Sequence, residues 1–428
     1  MIDDFRTPRE KPKVFQTTPN SSEISESPGE HDFSWPKPPE STAEPRTDDS
    51  TTADEPPESP RSLGGSQNLQ KQKLQHHLKR LTKKEWLVVG SLCLVLIAGG
   101  ASLWAMTHRA VTALPSDGHR TVYKPKVVKP TTVPSTLTGL PVDPSVNARP
   151  VTGVMIENSP DARPQSGLNQ AGVVFEAIAE GGITRFLALY QDTQPDYLGP
   201  VRSARPYYVQ WAMGFDAAYA HVGGSPEALS DIRAWGVKDM DQFYNSGAYE
   251  RVSYRYAPHN VYTSAAQLSA LEAKKGYGAS TFTGFVRKKD APSKTPTAAS
   301  INMNISGYYY NTHYDYDATT NSYKRSEGGA AHVELNKAGA KAQIQPKVVV
   351  AMVMQYGLEA DDHHSQYNVI GSGQAFIFQD GTVTTGTWSK TAAKSQITFT
   401  DAAGKPIALN AGQTWLTALS AANQLTYK

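Results

Sequence analysis

The longest apolar run of the chain lies at residues 86–106, where 21 consecutive residues (WLVVGSLCLVLIAGGASLWAM) carry no charge. As a helix this run would be about 31 Å long at 1.5 Å per residue, which matches the hydrocarbon core of a bilayer. Trp86 and Trp104 lie near its ends, where interfacial aromatic residues are expected. The pattern predicts a single transmembrane helix over residues 83–107.

The residues before this run are polar and segregated by charge. Residues 1–60 contain 14 acidic residues and 11 prolines, whereas residues 61–84 carry seven basic residues and no acid. Such a composition cannot bury enough apolar surface to offset chain entropy, so we predict a disordered tail with a basic collar over residues 1–82. Because the positive charge collects before the span, this tail is expected in the cytoplasm and the rest of the chain outside.

Short apolar runs and helix signals alternate after a proline-rich stretch. Seven prolines between residues 109 and 150 favour an extended spacer over residues 108–146. In residues 147–290, three short apolar runs predict strands: residues 154–157, 173–178 and 183–190. A capping serine ahead of apolar residues at helical spacing predicts three helices, after Ser203, Ser225 and Ser264.

Residues 300–428 are mostly strand-like. The runs 348–354 and 375–378 predict strands, Asp380 and Gly381 predict a turn, and a last strand is expected near Trp415. The predicted fold class is therefore α+β. It comprises a single transmembrane helix and an outer part, with an α/β-type module over residues 147–290 and a β-rich module over residues 300–428.

Charge and cysteine content exclude several functions. The net charge of +2, from 42 basic and 40 acidic residues, offers no chain-wide field for nucleic acid, so no nucleic-acid partner is expected. The single cysteine, Cys93, lies within the apolar run and leaves no thiol in the outer part. A disulfide framework and a thiolate metal site are therefore excluded, and we expect no cofactor.

Arginines gather around the predicted strand ends and helix starts of the first module. Arg202 and Arg205 flank Ser203, so guanidinium groups and free helix N–H groups could converge on one anion. A second such site is expected at Ser225, beside His221. The candidate ligand-binding residues are Arg163, Arg185, Arg202, Ser203, Arg205, His221 and Ser225. Alternatively, the arginines pair with glutamates inside the fold and the serines serve only as helix caps.

Three glutamates are candidate catalytic residues. Cleavage of a glycosidic bond needs one carboxyl group as acid and another as base or nucleophile, and Glu157, Glu176 and Glu180 could supply such a pair. A neighbouring arginine would lower the pKa of Glu180 and weaken it as a proton donor. The run of residues 361–364 (DDHH) could hold a metal ion, but adjacent residues rarely point the same way, so a solvated loop is favoured and no metal site is predicted.

The outer part resembles the YerB-like family of bacterial lipoproteins. The resemblance covers nearly all of residues 147–428 and adds His259 and Asn260 to the candidate ligand-binding residues. It is carried by residues 162–168 (ARPQSGL), 180–186 (EGGITRF), 199–205 (GPVRSAR), 223–225 (GGS), 386–390 (GTWSK) and 412–415 (GQTW). Family members commonly carry a short lipoprotein signal, whereas this chain has a long acidic tail. The resemblance implies an extracytoplasmic bacterial setting and supplies no reaction.

Together these patterns predict a single-pass protein of the bacterial plasma membrane, with its N-terminus in the cytoplasm and its C-terminal domain outside. Its expected partners are the bilayer, through residues 86–106, and a cell-wall glycan or another anionic envelope ligand that it binds or remodels. One alternative is an enzyme that cleaves the glycan strands of peptidoglycan. Another is a structural or partner-binding envelope protein without catalysis.

Overall fold

The computed structural model describes residues 131–428, and a ten-stranded sheet lies at their centre. Its strands, in chain order, are β1 (Thr152–Glu157), β2 (Val173–Glu180), β3 (Ile183–Tyr190), β4 (Ala218–His221), β5 (Lys238–Asp241), β6 (Val348–Val353), β7 (Gly371–Gln379), β8 (Thr382–Lys390), β9 (Thr398–Thr400) and β10 (Thr414–Leu419). Their order in the sheet is β9-β8-β7-β6-β10-β2-β3-β1-β4-β5.

The sheet is continuous through both halves of the described chain. Strand β10 pairs in parallel with β2, in a register that places Thr414 opposite Val173 and Thr417 opposite Glu176. Strands β6, β10, β2, β1, β4 and β5 run in one direction, while β3 runs antiparallel between β2 and β1. The carboxyl ends of these six strands therefore meet at one edge of the sheet.

Within residues 131–428, three α-helices cover the two faces of the sheet: α1 (Pro206–Met213), α2 (Pro226–Trp235) and α3 (Ala265–Lys275). Trp211 of α1 and Ile232 of α2 share a buried core with Phe175 of β2, while Leu268 of α3 belongs to a second core with Val174. Because both faces are covered, β1 is buried along its whole length and reads as a continuous apolar run.

The remaining strands form smaller sheets. A five-stranded antiparallel sheet consists of Ser300–Met303, Thr312–Asp317, Ser322–Glu327, Ala330–Ala331 and Leu425–Tyr427. Five two-stranded pairs complete the fold: Val133–Pro134 with Pro141–Val142, Glu250–Arg251 with Val261–Tyr262, Arg287–Lys288 with Leu409–Asn410, Val333–Leu335 with Lys341–Gln343, and Tyr356–Leu358 with Ser365–Tyr367. The first pair falls within the predicted spacer, and Leu137 between its strands is fully buried.

The predicted fold class is wrong. The described residues are mostly β-structure, with helices of only eight to eleven residues, and one sheet runs through both predicted modules. Among residues 131–428 no helix is long and apolar enough to cross a membrane. The predicted transmembrane helix and the predicted tail lie outside the described residues. Apolar periodicity indicated the individual strands, but the pairing of β10 with β2 is made between residues far apart in sequence.

Candidate functional site

The sequence-predicted residues converge on the edge where the parallel strands end. Glu157 is the last residue of β1, Glu180 the last of β2 and His221 the last of β4, and Arg185 lies opposite Glu157 on the neighbouring strand β3. The helices α1 and α2 both begin in segments that leave this edge. In open sheets with parallel strands, ligands bind outside the carboxyl ends of the strands. The polar groups of this edge are therefore the candidate functional site.

Glu157, Ser159, Arg202 and His259 form one group, here named the edge cluster. The Oε1 atom of Glu157 lies 2.9 Å from His259 Nδ1 and 3.3 Å from Arg202 Nε, and it accepts a hydrogen bond of 3.0 Å from Ser159 Oγ. The Glu157 side chain is only 3% exposed, whereas those of Arg202 and His259 are 24% and 22% exposed. The buried carboxylate thus anchors the Arg202 guanidinium and the His259 imidazole, both of which are partly exposed.

Two buried atoms of the edge cluster, Glu157 Oε2 and Arg202 Nε, lack a hydrogen-bond partner among residues 131–428. Glu157 Oε2 is buried, and no hydrogen-bond donor among residues 131–428 reaches it. Buried carboxylate oxygens normally accept at least one hydrogen bond, from protein, ordered water or ligand. The edge cluster therefore has unused hydrogen-bonding capacity on the carboxylate as well as on the guanidinium of Arg202.

Glu180 is held by two arginines at the neighbouring strand end. Arg185 Nη2 lies 2.5 Å from Glu180 Oε1, and Arg205 contacts the other carboxylate oxygen. Arg185 also donates to the Ser203 carbonyl at 3.2 Å, and Arg205 donates to the Ala179 carbonyl at 3.2 Å. Burial lowers the pKa of Arg185 to about 10 and also lowers that of Arg205. Both guanidinium groups are buried and bond mainly to the protein, so they support the edge and are not presented to solvent.

Glu176 of β2 belongs to a buried set of polar residues, here named the inner network. The inner network consists of Glu176, Arg325, Glu327, His332 and Trp415. Arg325 Nη2 lies 2.8 Å from Glu176 Oε1, and Trp415 Nε1 donates to Glu176 Oε2 at 2.9 Å. Both charged side chains have no exposed surface. Burial raises the pKa of Glu176, while the charges of Glu176 and Glu327 outweigh burial and raise the pKa of Arg325.

The inner network also joins the two halves of the chain. Asn158 Nδ2 donates to Glu327 Oε1 at 2.7 Å, and His332 Nε2 lies 3.0 Å from Gln165 Oε1. Burial and the charge of Arg325 lower the pKa of His332 to about 3. Arg163 extends from this network toward solvent, with Nη2 3.5 Å from Glu327 and its guanidinium over the ring of Tyr310 at 5.3 Å.

Sequence reasoning missed Arg325, Glu327 and His332. The available signal was that Arg325 and Glu327 are two residues apart in a strand and therefore point to the same face. A like-facing Arg and Glu can also form an ordinary exposed pair. Only the position of this strand against β2 and Trp415 shows that both are buried.

The other predicted residues have local structural partners. His221 is fully buried, with Nδ1 2.7 Å from the Gly223 carbonyl and Nε2 2.9 Å from Asp239 Oδ1. Ser225 caps α2 as predicted, accepting from Ala228 N at 3.3 Å. Ser203 does not cap α1, because Arg205 occupies the N-cap position without a side-chain hydrogen bond.

Asn260 lies in the loop that borders the edge cluster and accepts a hydrogen bond of 3.0 Å from Arg251. In the same loop, Arg255 donates to the Pro164 carbonyl at 2.9 Å and so fastens the loop beside β1. Tyr254 and Tyr256 of this loop are 61% and 92% exposed. Two exposed aromatic side chains therefore lie on the loop that carries His259.

Two cavities accompany this arrangement. One, of about 380 Å³, is lined by Ser203, Gly223, Asp241 and Phe243 and lies beside the start of α2. A larger one, of about 680 Å³, lies between Phe282, Phe285 and Phe399 and contains none of the sequence-predicted residues. Charged groups with unused hydrogen-bonding capacity converge in the edge cluster, whereas the larger cavity has a mainly aromatic and apolar lining.

Comparisons with known proteins match both halves of the chain. Residues 137–278 match the family described as "Protein of unknown function (DUF3048) N-terminal domain", and residues 301–416 match its C-terminal domain. The chain is 29% identical over 341 residues to "Putative lipoprotein YerB" of Bacillus subtilis (strain 168), covering 78% of this chain and 95% of that protein.

The crystal structure of the YerB protein from Bacillus subtilis is also similar. It superposes with a TM-score of 0.61 at 27% sequence identity, covering 69% of this chain and 99% of that one. The matches confirm the resemblance to the YerB-like family and its two-part organisation. Because the two family models together match more than half of its residues, the chain belongs to the DUF3048 family, with both the N-terminal and the C-terminal domain.

Proposed function

We propose that this chain is an extracytoplasmic protein of the bacterial cell envelope whose edge cluster binds an anionic, glycan-linked polymer. The observation that carries the proposal is the arrangement of Arg202 and His259, which share one buried carboxylate and are both partly exposed. The envelope setting is supported by the relative in Bacillus subtilis, which is named a lipoprotein.

The arginines of this edge differ in burial, and the difference separates those that support the fold from the one that can bind a ligand. Arg185 and Arg205 are 2% and 1% exposed and are held by Glu180, so a ligand could reach them only by displacing protein contacts. Arg202 is 24% exposed, and its Nη groups have no hydrogen-bond partner among residues 131–428. A guanidinium fork of this kind suits a phosphate or carboxylate group, with which it forms paired charge-assisted hydrogen bonds.

Exposed tyrosines beside the edge cluster support a glycan-linked ligand. The aromatic rings of Tyr254 and Tyr256 lie on the loop that carries His259, and both are mostly exposed. Aromatic faces pack against the apolar faces of sugar rings, while a cation nearby fixes an acidic substituent. The combination favours a polymer that carries both sugars and acidic groups over an isolated inorganic anion.

Acid catalysis by the three glutamates receives less support from the geometry. Each carboxylate contacts at least one cationic side chain, Glu176 has no exposed surface, and Glu180 contacts two arginines. The two arginines favour the ionised form of Glu180, whereas a general acid must hold its proton near neutral pH. Burial raises the pKa of Glu176, but this carboxyl group has no exposed surface with which to meet a substrate. Glycan cleavage through these residues therefore stays a prediction.

One observation favours a hydrolytic alternative. Since carboxylate oxygens accept hydrogen bonds, the 2.9 Å contact with Glu157 favours the neutral tautomer of His259 that carries its hydrogen on Nδ1, and in that tautomer Nε2 is an acceptor. Such an imidazole can take a proton from water in an ester or glycosidic hydrolysis. Arg202, next to the same carboxylate, would then stabilise negative charge on the substrate.

Sedimentation with purified peptidoglycan sacculi tests the proposal. The full-length chain should pellet with intact sacculi and should do so less after their phosphate-linked polymers are removed with hydrofluoric acid. Arg202→Gln should weaken binding roughly tenfold, which corresponds to one charge-assisted hydrogen-bonded contact. High salt should weaken binding for the same electrostatic reason.

Arg149→Gln is the matched control, because Arg149 is partly exposed but precedes β1 and so lies at the opposite end of that strand from Glu157. Equal binding by the wild type and Arg202→Gln would overturn the proposal. Undiminished binding to stripped sacculi would overturn the assignment of an anionic polymer and favour the glycan itself. Soluble sugar fragments released by the wild type but not by Glu157→Gln would establish the hydrolytic alternative.

A further inference from the structure

The hairpin of residues 356–367 brings together three side chains that could bind one metal ion. Its strands, Tyr356–Leu358 and Ser365–Tyr367, are joined by a turn in which Asp362 adopts a left-handed conformation, with φ at 56°. The turn places ligand atoms of Glu359, Asp361 and His364 within 4.8 Å of one another. Adjacent residues in an extended chain would point apart, and it is this turn that makes the side chains converge.

We propose that Glu359, Asp361 and His364 bind a divalent transition-metal ion, with zinc as the best match. This inference does not depend on the proposed function of the edge cluster. Two carboxylates and one imidazole are a ligand set that Zn²⁺ accepts, with a water molecule as the fourth ligand. The imidazole nitrogen disfavours Mg²⁺ and Ca²⁺, which prefer oxygen ligands.

The state of Glu359 is an independent reason to expect a cation. The residue is 5% exposed, and Ser225 Oγ donates a hydrogen bond of 3.0 Å to its Oε1 atom. Among residues 131–428, no Lys, Arg or His nitrogen lies within 4.0 Å of its carboxylate. Buried carboxylates are normally paired with a cation or coordinate a metal. The buried carboxylate of Glu359 therefore has no ion-pair partner and lies within 4.8 Å of ligand atoms of Asp361 and His364.

His364 has the orientation of a metal ligand. Its Nδ1 atom lies 2.5 Å from Asp361 Oδ2, and its Nε2 atom lies 3.6 Å from Glu180 Oε2. Histidines that bind a metal through one nitrogen usually direct the other N–H toward a carboxylate, which fixes the ring. Binding through Nδ1 would leave Nε2–H directed at Glu180. Two tetrahedral ligand atoms lie roughly 3.4 Å apart, so Asp361 and His364 would separate slightly around the ion.

The surrounding charges permit a cation. Arg185 and Arg205 are nearby, but both are bound to Glu180 and to backbone carbonyls. Glu359 and Asp361 then add two negative charges that these arginines do not contact at ion-pair distance. Zinc would compensate both charges and connect the hairpin to the capped start of α2 through Glu359 and Ser225.

The test is zinc binding to the untagged full-length chain after treatment with EDTA, measured by isothermal titration calorimetry and by thermal unfolding. Zn²⁺ should bind saturably and raise the melting temperature, because it binds the folded chain preferentially, whereas Mg²⁺ should do neither. His364→Asn should weaken this binding roughly tenfold or more. The matched control is His363→Asn, whose side chain is exposed on the same turn and stays outside the three-residue group.

The chain has 11 histidines, so the difference between the two variants carries the result. Absence of saturable Zn²⁺ binding would overturn the proposal, and so would equal effects of His363→Asn and His364→Asn. Asp361→Asn provides a second variant in case His364→Asn unfolds, which melting in EDTA would reveal. Retention of wild-type affinity by Asp361→Asn would also contradict the site as assigned.

Discussion

The inner network and the edge cluster use the same residue types and differ in their access to solvent. Each combines glutamate, arginine and histidine. The inner network is built on Glu176 within β2, and the edge cluster on Glu157 at the end of β1. In the inner network Glu176 and Arg325 are 0% exposed, whereas in the edge cluster Arg202 and His259 are each more than a fifth exposed. The same residue types therefore join the two halves of the fold in the inner network, whereas in the edge cluster they expose Arg202 and His259 to solvent.

This difference assigns separate roles to chemically similar residues. A fully buried ion pair has lost its hydration, so removal of one member leaves an uncompensated charge. A partly exposed pair can be replaced by water at small cost. Stability should accordingly depend on the inner network, and ligand binding on the edge cluster.

Arg325→Met should give the largest effect. Its removal leaves Glu176 and Glu327 buried without their main cation, and breaking such a pair costs about 3–5 kcal/mol. Urea unfolding at pH 7 measures the loss. A variant that also carries Glu176→Gln and Glu327→Gln should recover part of it, because the buried charges are then absent. A loss below about 1 kcal/mol would show that the inner network does not hold the halves together.

His332 should make stability depend on pH. Its folded pKa of about 3 lies below the usual value of about 6.5, so between these pH values the unfolded chain takes up a proton that the folded chain does not. Stability should therefore fall as the pH falls through this window, by roughly 2 kcal/mol from pH 7 to pH 5. Urea unfolding of the wild type and of His332→Gln at both pH values isolates the contribution of His332 to this pH dependence. Identical pH dependence in the two proteins would contradict the prediction.

Thr417→Val probes a single weak contact of the inner network. Thr417 Oγ1 donates to Glu176 Oε2 at 3.4 Å, and valine keeps the shape of the side chain without the donor. Because Arg325 and Trp415 still bond to the same carboxylate, the loss should be about 1 kcal/mol. Chemical denaturation measures it. A loss as large as that of Arg325→Met would mean that the hydroxyl, and not the ion pair, dominates the network.

Arg202→Gln should have the smallest effect on stability. Its contact with Glu157 is 3.3 Å long and partly exposed, so the unfolding free energy should change by about 0.5 kcal/mol. The measurement is urea unfolding of the same preparation that is used for sacculus binding. A loss of several kcal/mol would place Arg202 with the structural arginines and remove the contrast between the two regions.

Local features of the fold were predictable from the sequence. The strand at residues 183–190 is confirmed with the same bounds, and Ser225 and Ser264 cap helices that end at Gly236 and Gly276. The prediction that Ser203 caps a helix is wrong, because the chain there is extended up to Arg205 and the helix begins at Pro206. Helix-capping residues and apolar periodicity thus predicted an element correctly where its structure depends on residues close together in the sequence.

The candidate site was only partly predictable. Sequence placed Glu157, Arg202 and Glu180 near strand ends and helix starts, and the structure brings them to one edge. It named His364 only within the run of residues 361–364, for which a solvated loop was favoured, and it did not identify Glu359; His364 approaches Glu180 from the other half of the chain and brings Glu359 and Asp361 with it. No spacing in the sequence marks that approach, because it depends on how the 356–367 hairpin packs against β2.

By itself the sequence determined six of the ten strands of the central sheet, two of the three predicted helix caps, the family resemblance and the set of charged residues available for chemistry. These follow from hydrogen bonds and side-chain patterns within a few residues of one another. Tertiary structure alone decided that one sheet joins both halves, that Glu176 is sealed with Arg325, and that Arg202 faces solvent. The physical reason is that the energy of a charged group depends on its burial, and burial is set by residues distant in the chain.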